Sequence, residues 1–297
     1  MRLPELILYR ISKSWPDYMK KRRENLGCDS TDRTYHVNYA LIQQYDEKVR
    51  LGVKYKFRGK EILEIGCGHG GISIFLAVNG AKRVVGIDLN AQNLAVAADV
   101  KKMVMERLNI SEAFPVEFLE MNAYEMEFAP GSFDIVLAEN VFEHFMEPEK
   151  VMQQSYTVLR KDGQLIVPVF SSIWSRNALH LKNSLKVPWA NLFFSEKTII
   201  AVVNRLCREN PSLIPIYPGV AHNPQRVRDL RKYKDLNDIT YGEFKRMAKR
   251  TGFVIEYFGT KPSPPKVGKI VRRIPILREG VLADIFSVGA EAVLRKV

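Results

Sequence analysis

Cysteine is scarce in this chain of 297 residues: Cys28, Cys67 and Cys207 are odd in number and widely spaced. They make neither a disulfide framework nor a C-x-x-C metal site, so the expected setting is a reducing cytoplasm. No stretch approaches the roughly 18 consecutive apolar residues that a bilayer-spanning helix requires. Arg10, Lys13 and the run Lys20-Lys21-Arg22-Arg23 interrupt any apolar core of a secretory leader, which predicts none. No internal repeat or low-complexity tract is visible, which leaves an ordinary globular chain, long enough for one large domain or two small ones.

Acidic charge is also in short supply, except in the middle of the chain. Residues 60–169 hold 9 Lys and Arg against 16 Asp and Glu, a net of −7, while the remainder holds 36 against 17, a net of +19. A mildly acidic block thus sits within strongly basic surroundings. The additions, not the block, are the parts expected to meet something anionic.

The pattern of apolar residues divides the chain. Residues 1–25 read as a helix with a basic end, and 35–50 as a helix with Val37, Leu41, Tyr45 and Val49 at four-residue spacing. Strands then alternate with helices. A strand over 61–65 runs into Gly66-Cys-Gly-His-Gly-Gly71, and a helix over 72–79 stops at Gly80. A second strand, 83–87, ends at Asp88, and Asn90 is placed to cap a helix running to about 108. Strands follow at 116–119 and 133–138, then a helix over 148–159, a turn at Asp162-Gly163 and a strand over 164–170. Continuous apolar strands between helices predict an α/β fold: a Rossmann-like, mostly parallel sheet with helices on both faces.

After residue 170 this rhythm breaks. Residues 171–239 carry five prolines and no βα alternation, and a segment of that length between core elements is usually functional. The core pattern resumes with a helix over 241–251 and strands at 253–258 and 286–294, separated by a Pro- and Lys/Arg-rich insertion at 259–283. The expected organisation is N-terminal helices over 1–59 closing a ligand site, a core over 60–170, a cap over 171–239, and the end of the core over 240–297.

Chemistry concentrates at the strand ends. In Glu64-Ile-Gly66-Cys67-Gly68-His-Gly70-Gly71, the glycines let backbone approach a ligand and the following helix offers free N–H groups. Asp88, about 20 residues on at the end of the second strand, is placed to reach the ribose hydroxyls of an adenosine moiety, which a nicotinamide cofactor would also satisfy. Glu120-Met-Asn122-Ala123 follows the third strand, and Phe133-Asp-Ile-Val-Leu-Ala-Glu139-Asn140 forms the fourth. Here the sequence resembles the class I S-adenosylmethionine-dependent methyltransferases: the E-I-G-C-G-x-G loop, V-G-I-D, the amide after strand three, F-D-x-V and the L-R-K-D-G turn before strand five all fall in family order.

The resemblance implies a seven-stranded sheet with its last strand antiparallel, and S-adenosyl-L-methionine as cofactor. It assigns the methionine part to Glu64 and the loop Gly66, Cys67, Gly68 and Gly70, the ribose to Asp88, and the adenine to Leu89, Asn122 and Ala123. Glu139 and Asn140 face the methionine end and the substrate. The segment Asn140-Val-Phe-Glu143-His144 also resembles the E-x-x-E-H segment of the ubiquinone-biosynthesis O-methyltransferases, where these residues are tied to a divalent metal. Asn140 replaces the first carboxylate, and an amide is the poorer ligand, so no metal is assigned. His144 with Glu143 is read as a candidate general base, against the alternative that the pair only orients the loop or caps the next helix.

His180 and His222 fall in the cap, and Tyr35, His36 and Tyr39 could form a lid, although surface or packing roles fit them equally. Basic residues cluster at 20–23, at 226–234 and at Lys261, Lys266, Lys269, Arg272 and Arg273. The third cluster is interleaved with aliphatics, which predicts contact with the anionic inner face of a membrane or with an amphipathic substrate. The expected reaction is O-methylation of a small molecule, lipid or lipid-linked glycan. RNA methylation is the alternative, without a recognised RNA-binding module to support it. A cofactor-binding interaction protein is the non-enzyme alternative.

Overall fold

The computed structural model describes residues 2–18, 21, 56–110, 113–176, 185–209, 237–262 and 280–297. In chain order the elements are α1 (Leu3–Ser12), β1 (Glu61–Ile65), α2 (Gly71–Val78), β2 (Arg83–Asp88), α3 (Ala91–Arg107), β3 (Val116–Glu120), β4 (Phe133–Leu137), a 3₁₀ turn (Phe142–His144) and α4 (Pro148–Val158). They continue with β5 (Leu159–Phe170), α5 (Ala190–Phe193), α6 (Glu196–Glu209), α7 (Tyr241–Arg250), β6 (Phe253–Pro262), α8 (Gly280–Ile285) and β7 (Ser287–Lys296).

The seven strands form one sheet in the order β3-β2-β1-β4-β5-β7-β6. The first five are mutually parallel, with Leu63 opposite Val85 and Val136. Strand β7 runs antiparallel between β5 and β6. Because successive side chains point to opposite faces, Leu63 and Ile65 feed one core and Ile62 the other. The first core is closed by Val151 and Met152 of α4 and by Phe244 and Met247 of α7. The second is closed by Ile74 and Leu76 of α2 and Val100 and Val104 of α3. Both faces are therefore dry, as the unbroken apolar strands predict.

Several boundaries differ from the sequence reading. Helix α1 ends at Ser12 because Pro16 lacks an N–H and its ring would clash with the Ser12 carbonyl; after a turn at Lys13-Ser14 the chain is helical again over 15–18, so the single helix expected over 1–25 is broken. The turn at Asp162-Gly163 is a bulge within β5: Leu159 pairs with Phe133 and Gln164 with Ile135, and Asp162 sits at φ 61°. Arg160 in that bulge binds Glu61 at 2.8 Å and Asp134 at 2.9 Å, tying β5 to the starts of β1 and β4. Strand β6 runs on to Pro262, so residues 259–262 belong to the sheet rather than to an insertion.

The stretch without βα alternation contains α6, whose Ile199, Val202, Val203, Leu206 and Cys207 line one face. That face buries Leu8 and Tyr9 of α1. The N-terminal helix thus packs on the cap segment. The expected helix at 35–50 lies outside the described residues, as do Tyr35, His36, Tyr39, His180, His222 and the basic cluster at 226–234. Lys266, Lys269, Arg272 and Arg273 do too. Of that last cluster Lys261 is described, and its ammonium binds the Pro168 carbonyl at 3.1 Å. No helix among the described residues is long and apolar enough to cross a membrane.

Aromatic rings lock α7 to the sheet. Phe244 stacks on Phe170 with ring centroids 4.5 Å apart and meets Phe142 edge-on at 5.1 Å. Phe244→Ala is expected to cost about 3–5 kcal/mol, because a fully buried ring leaves a cavity that three elements would have to refill. A shift of the urea midpoint, with the slope unchanged, is the check.

Candidate functional site

The carboxyl ends of β1, β2, β3 and β4 share one edge of the sheet, where ligands of open α/β folds bind. At the tip of β1 the chain must turn sharply into α2. Gly66, Gly68 and Gly70 all take left-handed conformations, with φ of 69°, 52° and 73°. At Gly70 a Cβ would collide with the Phe118 ring and lie 2.9 Å from Ala97, so this side of the loop is packed shut. At Gly68 a Cβ would meet nothing within 4 Å, so this side of the loop is open. The amides of Gly66 and Cys67 both donate to the Ile87 carbonyl, at 2.8 and 3.0 Å, which stitches the loop to the end of β2.

Asp88 completes that stitch. Its Oδ2 accepts from the Gly68 amide at 2.9 Å and its Oδ1 from the Asn90 amide at 2.8 Å. Asn90 in turn caps α3 by accepting from the amides of Gln92 and Asn93. Next along the chain, Leu89 is 67% exposed, an apolar side chain held out at the loop's open edge.

Glu64 is buried on β1 and accepts a hydrogen bond from the Ser73 hydroxyl of α2. Burial pushes its pKa up from 4.5 to about 8, and the charges of Glu139 and Asp88 push in the same direction, against the Ser73 bond. Three carboxylates on three adjacent strand tips therefore face one another electrostatically. The Cys67 thiol, also buried, is driven up by desolvation and by the same Glu64 and Asp88 charges, so it is a poor nucleophile.

Such a site disfavours a pyrophosphate, although Gly66, Gly68 and Gly71 would suit one by spacing. It favours a ligand that brings positive charge to the loop. A sulfonium with an α-ammonium next to it, joined to an adenosine, is a ligand of that kind.

The other predicted contacts sit at neighbouring tips. Asn122 accepts the Tyr124 amide at 3.0 Å through its side chain, closing a turn after β3, and Ala123 is buried in the core beneath it. The amide of Met121 donates to the Asp88 carbonyl, which joins this turn to the end of β2. After β4, Glu139 is half-buried, and exposed Asn140 adopts φ 53° while its amide donates to Val169.

Glu143 and His144 occupy the 3₁₀ turn. Glu143 is buried while His144 is half-buried, so the pair does not present two groups to one ligand. Sequence reasoning missed what holds this turn. The Asn237 side chain donates to the carbonyls of Phe142 and Phe145, at 2.9 and 2.7 Å, and its backbone amide donates to Glu143. It also missed a buried polar group alongside. The Tyr241 hydroxyl lies 2.7 Å from Ser287 Oγ, its amide donates to Asp284, and the Ser287 hydroxyl reaches the Asp284 carbonyl. Burial raises the pKa of both Tyr241 and Asp284. No local motif announces either arrangement, since the partners lie on distant elements.

The raised pKa of Glu64 has a defined sign. The folded chain keeps its proton up to about pH 8, whereas the unfolded chain loses it near 4.5. Stability is therefore expected to fall as pH rises between these values, by up to about 1.4 kcal/mol per pH unit. Glu64→Gln should remove that slope while keeping an acceptor for Ser73. Urea unfolding at several pH values across this window measures it, and an equal slope in both proteins would rule the effect out.

Residues 63–167 match the profile of a family described as a methyltransferase domain. Among curated relatives, phosphoethanolamine N-methyltransferase 2 of Caenorhabditis elegans is 27% identical over 52% of this chain and 34% of its own length. Ubiquinone biosynthesis O-methyltransferase of Pseudomonas savastanoi pv. phaseolicola is 31% identical over 48% of this chain and 54% of its own. The chain thus spans about half, or less, of the length of these relatives. A solved S-adenosylmethionine-dependent methyltransferase from Mesorhizobium loti has a TM-score of 0.49 at 14% identity, covering 86% of this chain and 97% of that one. The matched residues carry the glycine loop, Asp88 and Glu139, and this part of the chain is a methyltransferase domain similar to that of the ubiquinone-biosynthesis O-methyltransferase.

Proposed function

We propose that this protein methylates an oxygen of a sizeable small molecule, a lipid or a lipid-linked glycan. The observation that carries the reading is the convergence of Glu64, Asp88 and Glu139 on a glycine loop that is open at Gly68. One relative's name specifies an O-methyltransferase of ubiquinone biosynthesis, which supports an oxygen acceptor, and another's specifies an N-methyltransferase of phosphoethanolamine, which makes a nitrogen acceptor the second reading.

When bound, S-adenosyl-L-methionine supplies a methyl group already activated on a sulfonium. The protein's part is then alignment, exclusion of water and one proton transfer. In this reading Asp88 accepts from the ribose hydroxyls, Leu89 covers one face of the adenine, and Asn122 and Ala123 border its edge. Glu64, held by the Ser73 hydroxyl of α2, and the loop Gly66–Gly70 take the methionine part, and Glu139 and Asn140 line the methyl end. His144 takes the proton from the acceptor hydroxyl. Glu143, buried behind it, is a positioning residue, and Asn237 holds the turn that carries both.

Two variants separate the roles. Asp88→Ala removes a charged acceptor worth about 1.5–3 kcal/mol per hydrogen bond, so affinity for S-adenosylhomocysteine should fall by at least about tenfold in calorimetry. His144→Gln should leave that affinity intact and lower turnover by about 10²–10⁴-fold. Turnover is read as labelled methyl incorporated from a panel of phenolic, lipid and lipid-linked hydroxyl acceptors. Incorporation into structured RNA, with none into the panel, would overturn the acceptor class.

A further inference from the structure

Helix α1 has two faces with different fates. Leu8, Tyr9 and Ser12 are buried against α6 and its neighbours. On the opposite side Leu3, Ile7 and Ile11 are 70%, 44% and 44% exposed. These three recur at four-residue spacing, so they form one apolar stripe along the helix. Arg2, Arg10 and Lys13 are exposed too, and the helical repeat places them along one flank of that stripe. The acidic residue of the helix, Glu5, projects toward the buried side, where it accepts the Arg2 amide at 3.0 Å.

The rotation of α1 is fixed, so the stripe's exposure is a property of the fold. The Tyr9 hydroxyl donates to both oxygens of Glu209, at 2.9 and 2.7 Å. The Arg205 guanidinium lies over the Tyr9 ring, 3.8 Å from its centroid, and also binds Glu209 at 2.9 Å. The Ser12 hydroxyl accepts the Lys186 amide at 3.3 Å. Turning the helix to hide Leu3, Ile7 and Ile11 would break all of these contacts.

A second feature points the same way. Trp15 and Tyr18 stack just past α1, with centroids 5.0 Å apart, and Tyr18 is 55% exposed. Amphipathic aromatic rings beside an apolar stripe suit the boundary between headgroups and acyl chains. Four further basic residues, Lys20-Lys21-Arg22-Arg23, follow directly in the sequence.

We infer that α1 is an interfacial helix that seats this protein on an anionic phospholipid bilayer, its Leu3-Ile7-Ile11 stripe entering the acyl boundary and its basic flank meeting the headgroups. Charge complementarity selects the partner: a protein groove could take the stripe, but an anionic lipid surface takes the stripe and the cationic flank together. The inference uses none of the residues assigned to methyl transfer and holds whether or not the acceptor is a lipid.

The test is sedimentation with vesicles. The full chain should pellet with phosphatidylglycerol-containing vesicles and stay in solution with pure phosphatidylcholine, and high salt should release it. A variant carrying Leu3→Ser, Ile7→Ser and Ile11→Ser should partition at least about tenfold less. Arg10→Gln and Lys13→Gln should each weaken binding by about fivefold. Unchanged circular dichroism and unchanged affinity for S-adenosylhomocysteine would establish that the variants fold. Wild type that ignores anionic vesicles at low salt overturns the inference, as does a triple variant that pellets like wild type. A vesicle-indifferent dimer that the triple variant dissolves also overturns it, in favour of a second copy on the stripe.

Discussion

Burial of the Glu64 carboxyl beside those of Asp88 and Glu139 is the constraint on which the site depends. Each stands at the end of a different strand, and parallel pairing of β1 with β2 and β4 forces those ends together. The fold resolves the conflict in three ways. Glu64 keeps its proton, Asp88 spends both oxygens on backbone amides, and the glycine loop remains the open wall. Negative potential concentrated in this manner is costly in an unliganded protein and favourable once a cation arrives.

Two dry cores clamp the sheet from both faces, and a third core joins α1 to α6 beside it. Asn237 and the Tyr241–Ser287–Asp284 group bind the returning chain to the turn after β4. These are polar links buried next to the catalytic edge, where apolar packing alone would not fix a turn so narrowly.

Much of this was legible in the sequence because the relevant signals are local. An apolar run of five residues followed by glycine announces β1 and its loop, and Asn90 announces the start of α3. The antiparallel position of the last strand came with the family resemblance. What escaped notice depends on distance. Helix α6 carries an amphipathic repeat that was hidden among prolines on either side, and the bulge in β5 arises from pairing with Phe133 and Ile135. Asn237 reaches carbonyls 95 and 92 residues away, and an isolated asparagine gives no hint of such partners. The exposed stripe of α1 looked like one half of an ordinary helix until α6 was seen to occupy the other half.

The order of the sheet also governs how the chain can be assembled on the ribosome. Strand β6 pairs with β7, which then fills the slot beside β5. Until residues 287–296 have been made, β5 is a bare edge and β6 has nothing to pair with, though both sequences are apolar. Synthesis thus exposes unpaired strand edges to aggregation until β7 emerges. A truncation before residue 287 would remove an internal strand rather than fray a margin, leaving a five-stranded sheet with a detached sixth segment.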